Sequence, residues 1–424
     1  MWRVICCLSL AAALTNHVPA GITPPLGQVP PLPQLQNLGY GLSRELLTGH
    51  LGAGVAIGFR RRSWPSATSL VAAGLHALTV LQQHDAEQQV IATFGKLLGD
   101  ESAPVTNGRM TDIGWPVSLL QSSWLVWRGT VNVRRGQVYG HHGQSLDVWK
   151  AAGQRNTTAP VVLFVHGGAW TFGSSGMNTG MALIAELAAS GWVVIAVNYR
   201  KAPSNRWPAA LDDVKSALDW VSTHALSLGA DPTRVVVVGQ SAGGHISASF
   251  AAERPPKVPL RGLVLFYPVV DVLDNDNGDG AGGYWKFPMS ISALGISAGQ
   301  SCMSWFFARW VSKVDLEALE SAETTELLLR ASPLRRVGPA YPPTLVLHGS
   351  SDGIASLHDS QALIKRLSGL RQGDEIVGDG VVVLGTAPHS FDLYSNAWPT
   401  RAAIAGLKRW LERAVSKANG IESV

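Results

Sequence analysis

The chain has 424 residues, 46% of them hydrophobic and 15% charged, with a formal net charge of +4 at pH 7. That length exceeds one typical core, so a large domain with an appendage or a second domain is expected, and the apolar content excludes a disordered chain. Lysine and arginine are scattered apart from Arg60-Arg61-Arg62, which reads as a solvated turn, so nucleic acid is not an expected partner.

The first 20 residues carry Arg3, an apolar run from Val4 to Leu14 and a stretch ending Val18-Pro19-Ala20. This has signal-peptide form, and the run is shorter than the roughly 20 residues a membrane-spanning helix needs. A cleaved or anchoring signal and a buried helix stay equally open. The first makes the protein secreted, or membrane-associated through its N-terminal part; the second leaves it cytoplasmic. Cys6 and Cys7 fall in this segment and Cys302 stands far away, so no disulfide framework reports the compartment. Asn156-Thr157-Thr158 is a glycosylation triplet in a eukaryotic secretory setting.

Six prolines between Pro19 and Pro33 mark an extended linker. From about Ser43 to Leu98 the pattern is mostly helical, with Ser66 to Gln83 the longest apolar segment, best read as a helix packed on the main domain. The expected organisation is a signal or anchor segment over 1–20, an N-terminal extension of linker and helices over 21–130, and a catalytic domain over 131–424.

From about Val131 onward, short β-branched runs alternate with longer amphipathic stretches, the pattern of an α/β fold with a mostly parallel sheet. Candidate strands are Val161 to Val165, Trp192 to Val197, Val235 to Val238, Gly262 to Phe266, Thr344 to Leu347 and Val381 to Leu384. Their near-continuous apolar character implies burial on both faces.

The template Gly-x-Ser-x-Gly, in which glycines let a serine sit on a tight turn between strand and helix, occurs around Ser241, Ser297 and Ser351. Context separates them. Ser297 has no strand before it, and Ser351 has an aspartate directly beside it. Ser241 follows Val235-Val236-Val237-Val238 and leads into a small-residue helix from Ala242 to Ala252, so Ser241 is the expected nucleophile.

A serine hydroxyl needs an adjacent base, and the base needs a third group to fix its tautomer. Four histidines follow Ser241. His245 lies on the nucleophile's own helix, His348 precedes the best acid, and His358 begins the next helix. His389 follows the strand Val381 to Leu384 in a loop at a strand's C-terminal end, where open α/β sheets bind ligands, and is the expected base. Asp352 follows the strand Thr344 to Leu347 and is the expected acid, with Asp392 and Asp271 as alternatives. The loop His166-Gly167-Gly168-Ala169-Trp170 follows the strand Val161 to Val165. Backbone N–H groups of Gly167 and Gly168, with that of Ala242, are expected to form an oxyanion hole, and His166 is expected to be a scaffold residue.

From about Val138 to Leu411 the chain resembles the hormone-sensitive-lipase-like esterases. The matching residues are Tyr139-Gly140, Leu146-Asp147-Val148-Trp149, His166 to Trp170, Asn198-Tyr199-Arg200-Lys201-Ala202-Pro203, Trp207 to Val214, Gly239 to Gly244, His348 to Asp352 and His389-Ser390-Phe391. The resemblance implies an α/β-hydrolase fold, a Ser-His-Asp triad and hydrolysis of small-molecule carboxylic esters through an acyl-enzyme, with no metal or organic cofactor. The family often places Val or Ile and then Pro soon after its acid, where this chain has Gly353-Ile354-Ala355-Ser356.

Gly278 to Gly283 satisfies a dinucleotide template, but Asp274, Asp276 and Asp279 would repel a pyrophosphate, and the same cluster lacks the EF-hand glycine. The aromatic segment from about Asp271 to Ser312 reads as a cap over an acyl pocket, with core packing as the competing account. Two other functions remain in play. Arylformamidases share a His-Gly-Gly-x-Trp loop, and hydrolase-like receptor or adhesion modules share the fold, though the latter commonly lack a triad member.

Overall fold

The computed structural model describes residues 84–99, 129–154, 158–176, 180–253, 259–273, 306–312, 322–371, 378–393 and 398–416. The signal-like segment, the proline linker, Ser66 to Gln83, all three cysteines, Asn156, Ser297 and the glycine-rich loop around Asp279 lie outside the described residues.

Eight strands form one sheet: β1 (Val131–Val138), β2 (Ser145–Ala151), β3 (Ala159–Val165), β4 (Val193–Val197), β5 (Ala230–Gln240), β6 (Leu260–Phe266), β7 (Thr344–Gly349) and β8 (Gly380–Leu384). Their order is β1-β2-β4-β3-β5-β6-β7-β8. The β1–β2 and β2–β4 pairs are antiparallel and every later pair is parallel. Each of the six candidate strands is present. The two antiparallel strands were not among the candidates: β1 carries Arg134, Arg135 and Gln137 on an exposed edge, and Asp147 interrupts the short apolar run of the buried β2.

Among the described residues the α-helices of eight residues or more are α1 (84–98), α2 (Met181–Ala189), α3 (Ala209–His224), α4 (Ala242–Glu253), α5 (Ala322–Arg330), α6 (Leu357–Leu370) and α7 (Trp398–Ser416). They cover both faces of the sheet. Val161, Leu163 and Val165 of β3 and Val235 and Val237 of β5 pack with α3, α4 and α6. Val162 and Phe164, with Val236 and Val238, pack with α1, α2 and α7. Each fully buried valine contributes about 1.5–3 kcal/mol by leaving water, which is why the runs through β3 and β5 are apolar on both faces. Among the described residues no helix is long and apolar enough to cross a membrane.

This architecture puts the C-terminal ends of β3, β5, β7 and β8 along one rim. Loops gather there because parallel strands all end on the same side, which is where such sheets bind ligands.

Candidate active site

Chain direction reverses sharply between β5 and α4. Ser241 sits at the turn with φ of 51°, a left-handed backbone that costs a non-glycine residue energy and survives only where neighbours enforce it. The enforcement is visible. Ser241 N–H donates to the Phe266 carbonyl at 2.9 Å, and its own carbonyl accepts from His245 N–H at 2.9 Å. A side chain at Gly239 would stand 2.5 Å from the Gly243 carbonyl, and one at Gly243 would run into the carbonyls of Val165 and His166. Glycines flank the serine because helix and strand approach closely there.

The structure brings Ser241, His389 and Asp352 together. The Ser241 hydroxyl donates to His389 Nε2 at 2.9 Å, and His389 Nδ1–H donates to Asp352 Oδ2 at 2.7 Å. His389 is 8% exposed, open enough to exchange protons yet shielded from bulk water. Asp352 Oδ1 accepts from the N–H groups of Ile354 at 2.8 Å and Ala355 at 2.9 Å. Burial pushes the Asp352 carboxyl up, but His389 and His348 beside it outweigh burial and hold it well below the usual carboxylate range. It is therefore a fixed negative charge at neutral pH, able to stabilise an imidazolium.

Gly167 lies beside the nucleophile, with Gly168 next in the chain. A side-chain carbon on Gly167 would be 3.2 Å from Ser241 Cβ. Gly168 has φ of 124°, and a Cβ there would collide with the Phe172 carbonyl. Ala242, the first residue of α4, follows Ser241 directly. An oxyanion needs backbone N–H donors close to the nucleophile, and these are the loops nearest to it.

The remaining candidates fall elsewhere. His245 is buried, with Nδ1 accepting from Trp170 Nε1–H at 3.1 Å and Nε2–H donating to the Ala331 carbonyl at 2.7 Å. Burial lowers its pKa to about 4, so it is a neutral structural tie. His166 stacks on Tyr199 at 4.4 Å and donates from Nδ1 to the Gly167 carbonyl at 2.6 Å, as a scaffold residue would. His358 heads α6 beside Asp359. Asp271 pairs with Arg335. Asp392 bonds Tyr267 and Gln240, so it is not the partner of His389 Nδ1. Ser351 belongs to a brace between β7 and the His389 loop, its N–H on the Ala387 carbonyl at 3.0 Å. Of the expected cap, Phe307 is buried edge-on against Trp170 and His245, at 5.1 Å from each, which is the core-packing account for that residue.

His348 was passed over because it precedes the acid, and its place gives it another task. It is fully buried, with Nε2 3.4 Å from Asp352 Oδ2 and Nδ1 2.9 Å from Ser360 Oγ. The strand-end signal that placed Asp352 also placed His348, four residues earlier at the end of β7.

A mostly parallel eight-stranded sheet with a serine at the strand-to-helix elbow, followed in chain order by an aspartate and a histidine, defines an α/β-hydrolase fold. Within that fold the chain belongs to the BD-FAE family, whose model matches residues 146–367. It is 32% identical over 277 residues to Esterase LipC of Mycobacterium tuberculosis, covering 64% of each chain. It is 30% identical over 280 residues to the probable carboxylic ester hydrolase LipM of the same organism, covering 63% of this chain and 58% of that one. The chain thus spans a little under two thirds of the length of these relatives. The hyperthermophilic esterase of Pyrobaculum calidifontis shares the fold with a TM-score of 0.53 at 24% identity, over 80% of this chain and 98% of that one. A bacterial heroin esterase does so with a TM-score of 0.53 at 20% identity, over 76% and 90%.

Proposed function

We propose that this protein is a carboxylic ester hydrolase working through an acyl-enzyme, with Ser241 as nucleophile, His389 as general base and acid, and Asp352 as the orienting carboxylate. One observation carries the reading: two hydrogen bonds of 2.9 and 2.7 Å run in series from Ser241 through His389 to a buried, charged Asp352. The names of the relatives, esterase and carboxylic ester hydrolase, agree with it.

In the first step the Ser241 proton passes to His389 Nε2 as Oγ bonds to the ester carbonyl carbon. Negative charge moves onto the carbonyl oxygen, which the N–H groups of Gly167, Gly168 and Ala242 receive. The imidazolium then protonates the leaving alkoxide. Water, deprotonated by the same imidazole, repeats the sequence on the acyl-enzyme and releases the acid. Asp352 keeps the proton of the neutral ring on Nδ1, leaving Nε2 free to accept. Esters of short to medium acyl chains are the proposed substrates.

The test is hydrolysis of p-nitrophenyl esters of increasing acyl length by the intact protein and by Ser241→Ala. Turnover that vanishes in the variant supports the reading, and the chain-length optimum defines the acyl preference. Faster turnover of N-formyl amides than of any ester would make it an amide hydrolase instead, and a folded protein inert on both would be a binding module.

A further inference from the structure

Asp392 is a buried acid that this mechanism leaves unused. It follows His389 by three residues and is 5% exposed. The Tyr267 hydroxyl donates to its Oδ1 and Gln240 Nε2–H donates to its Oδ2. Gln240 is the residue before Ser241, and the Tyr267 ring lies 4.6 Å from the His389 ring. The cluster therefore links the nucleophile turn, the turn after β6 and the loop of the base. Both carboxyl oxygens receive hydrogens, the pattern of an ionised carboxylate. Burial pushes the Asp392 carboxyl above its usual range, against the hydrogen bond from Tyr267 and the nearby His389. A neutral side chain would tie the same loops without the desolvation cost of a charge.

We propose that Asp392, with Tyr267, is a positioning residue for the base, its carboxylate favouring the imidazolium formed when Ser241 transfers its proton to His389. The inference rests on His389 being the base, as proposed above. Among the described residues, Asp352 from the turn after β7, Tyr267 from the turn after β6 and Asp392 from its own loop face His389, and His348 of β7 lies beside Asp352. Asp392 adds a second negative charge near His389, its two oxygens held by Tyr267 and Gln240.

Asp392→Asn tests this with little change of shape. Its carbonyl can still accept from Tyr267, and its amide faces Gln240, whose Oε1 has no hydrogen-bond partner among the described residues and can turn to accept. The readout is the rate at which a fluorophosphonate labels Ser241 across pH, which needs no knowledge of the natural ester, together with thermal melting. Asp392→Asn should slow labelling about tenfold at neutral pH and move the acid limb of the profile about one unit lower, with melting unchanged or raised. Tyr267→Phe should move the limb the same way while lowering the melting temperature. A limb that stays in place in both variants, whether or not the rate drops, would overturn the inference while Ser241 labelling in the wild type upholds the base. Absence of labelling in the folded wild type would overturn both.

Discussion

Gly167 and Ser241 are packed so closely that a methyl group on the glycine would lie 3.2 Å from the serine Cβ and 3.1 Å from the Gln240 carbonyl. Those separations ask the neighbours to give by only a few tenths of an ångström. Gly167→Ala should therefore fold with a melting temperature near that of the wild type. Its cost should fall on the rate, about tenfold to a hundredfold in kcat/KM, because the shift moves a backbone donor off the developing oxyanion. Gly168→Ala faces a harder conflict, with φ of 124° and the Phe172 carbonyl in the way. It should lose at least as much rate as deletion of a donor, on the order of 10²–10³. Steady-state kinetics beside melting curves check both. Two alanine variants within twofold of the wild type would remove this loop from the chemistry.

Two buried histidines should make the protein acid-labile well above the carboxylate range. Burial lowers the pKa of both His166 and His245 to about 4 from the ordinary histidine value of about 6.5. Because the folded values are depressed, the unfolded chain binds more protons below pH 6.5, and stability present above that pH is lost as the pH falls toward 4. Each group contributes a slope of about 1.4 kcal/mol per pH unit inside the window. His245→Leu should cost about 1–3 kcal/mol at pH 7, since Trp170 Nε1 and the Ala331 carbonyl lose their partner. Its deficit should shrink toward pH 5, where the wild type has begun to pay for a neutral imidazole. Urea unfolding at the two pH values measures the gap, and a gap that widens in acid would contradict the assignment.

The parallel half of the sheet was legible because burial on both faces leaves runs such as Val235-Val236-Val237-Val238, which have few other uses. The elbow was legible only through that strand, since the serine template occurs three times. Asp352 was legible from its place after β7, and the residues that follow it now have a use. Ile354 and Ala355 donate backbone N–H groups to its carboxylate, which proline at either position could not do. The Tyr267–Asp392–Gln240 cluster was not legible. Its members are separated by 125 and 152 residues, and no local pattern ties a tyrosine after one strand to an aspartate after another. Asp392 was visible only as a carboxyl near His389, with nothing in the spacing to say which nitrogen, if any, it served.

The N-terminal third stated no purpose in sequence, yet α1 from that part is built into the core. Val90, Phe94 and Leu98 join the same apolar cluster as Leu407 and Trp410 of α7 and Val382 and Leu384 of β8. This helix lies outside the segment that the family model matches, and it packs beside the strand that leads to His389, with Ala86 against Gly385. Its closest fit is between Phe94 and Gly406, where a side chain on the glycine would run into the Phe94 ring. Phe94→Ala should destabilise by about 3–5 kcal/mol through lost burial and a cavity. Gly406→Ala should also destabilise, although alanine is the better helix former by about 1 kcal/mol, because the ring cannot yield inside a packed core. Combined, the two changes should be less harmful than their sum, since the methyl group enters space the ring has left and the helix gains propensity. A double-mutant cycle by chemical denaturation reads the coupling. Simple additivity would mean that α1 and α7 do not press on each other at this point.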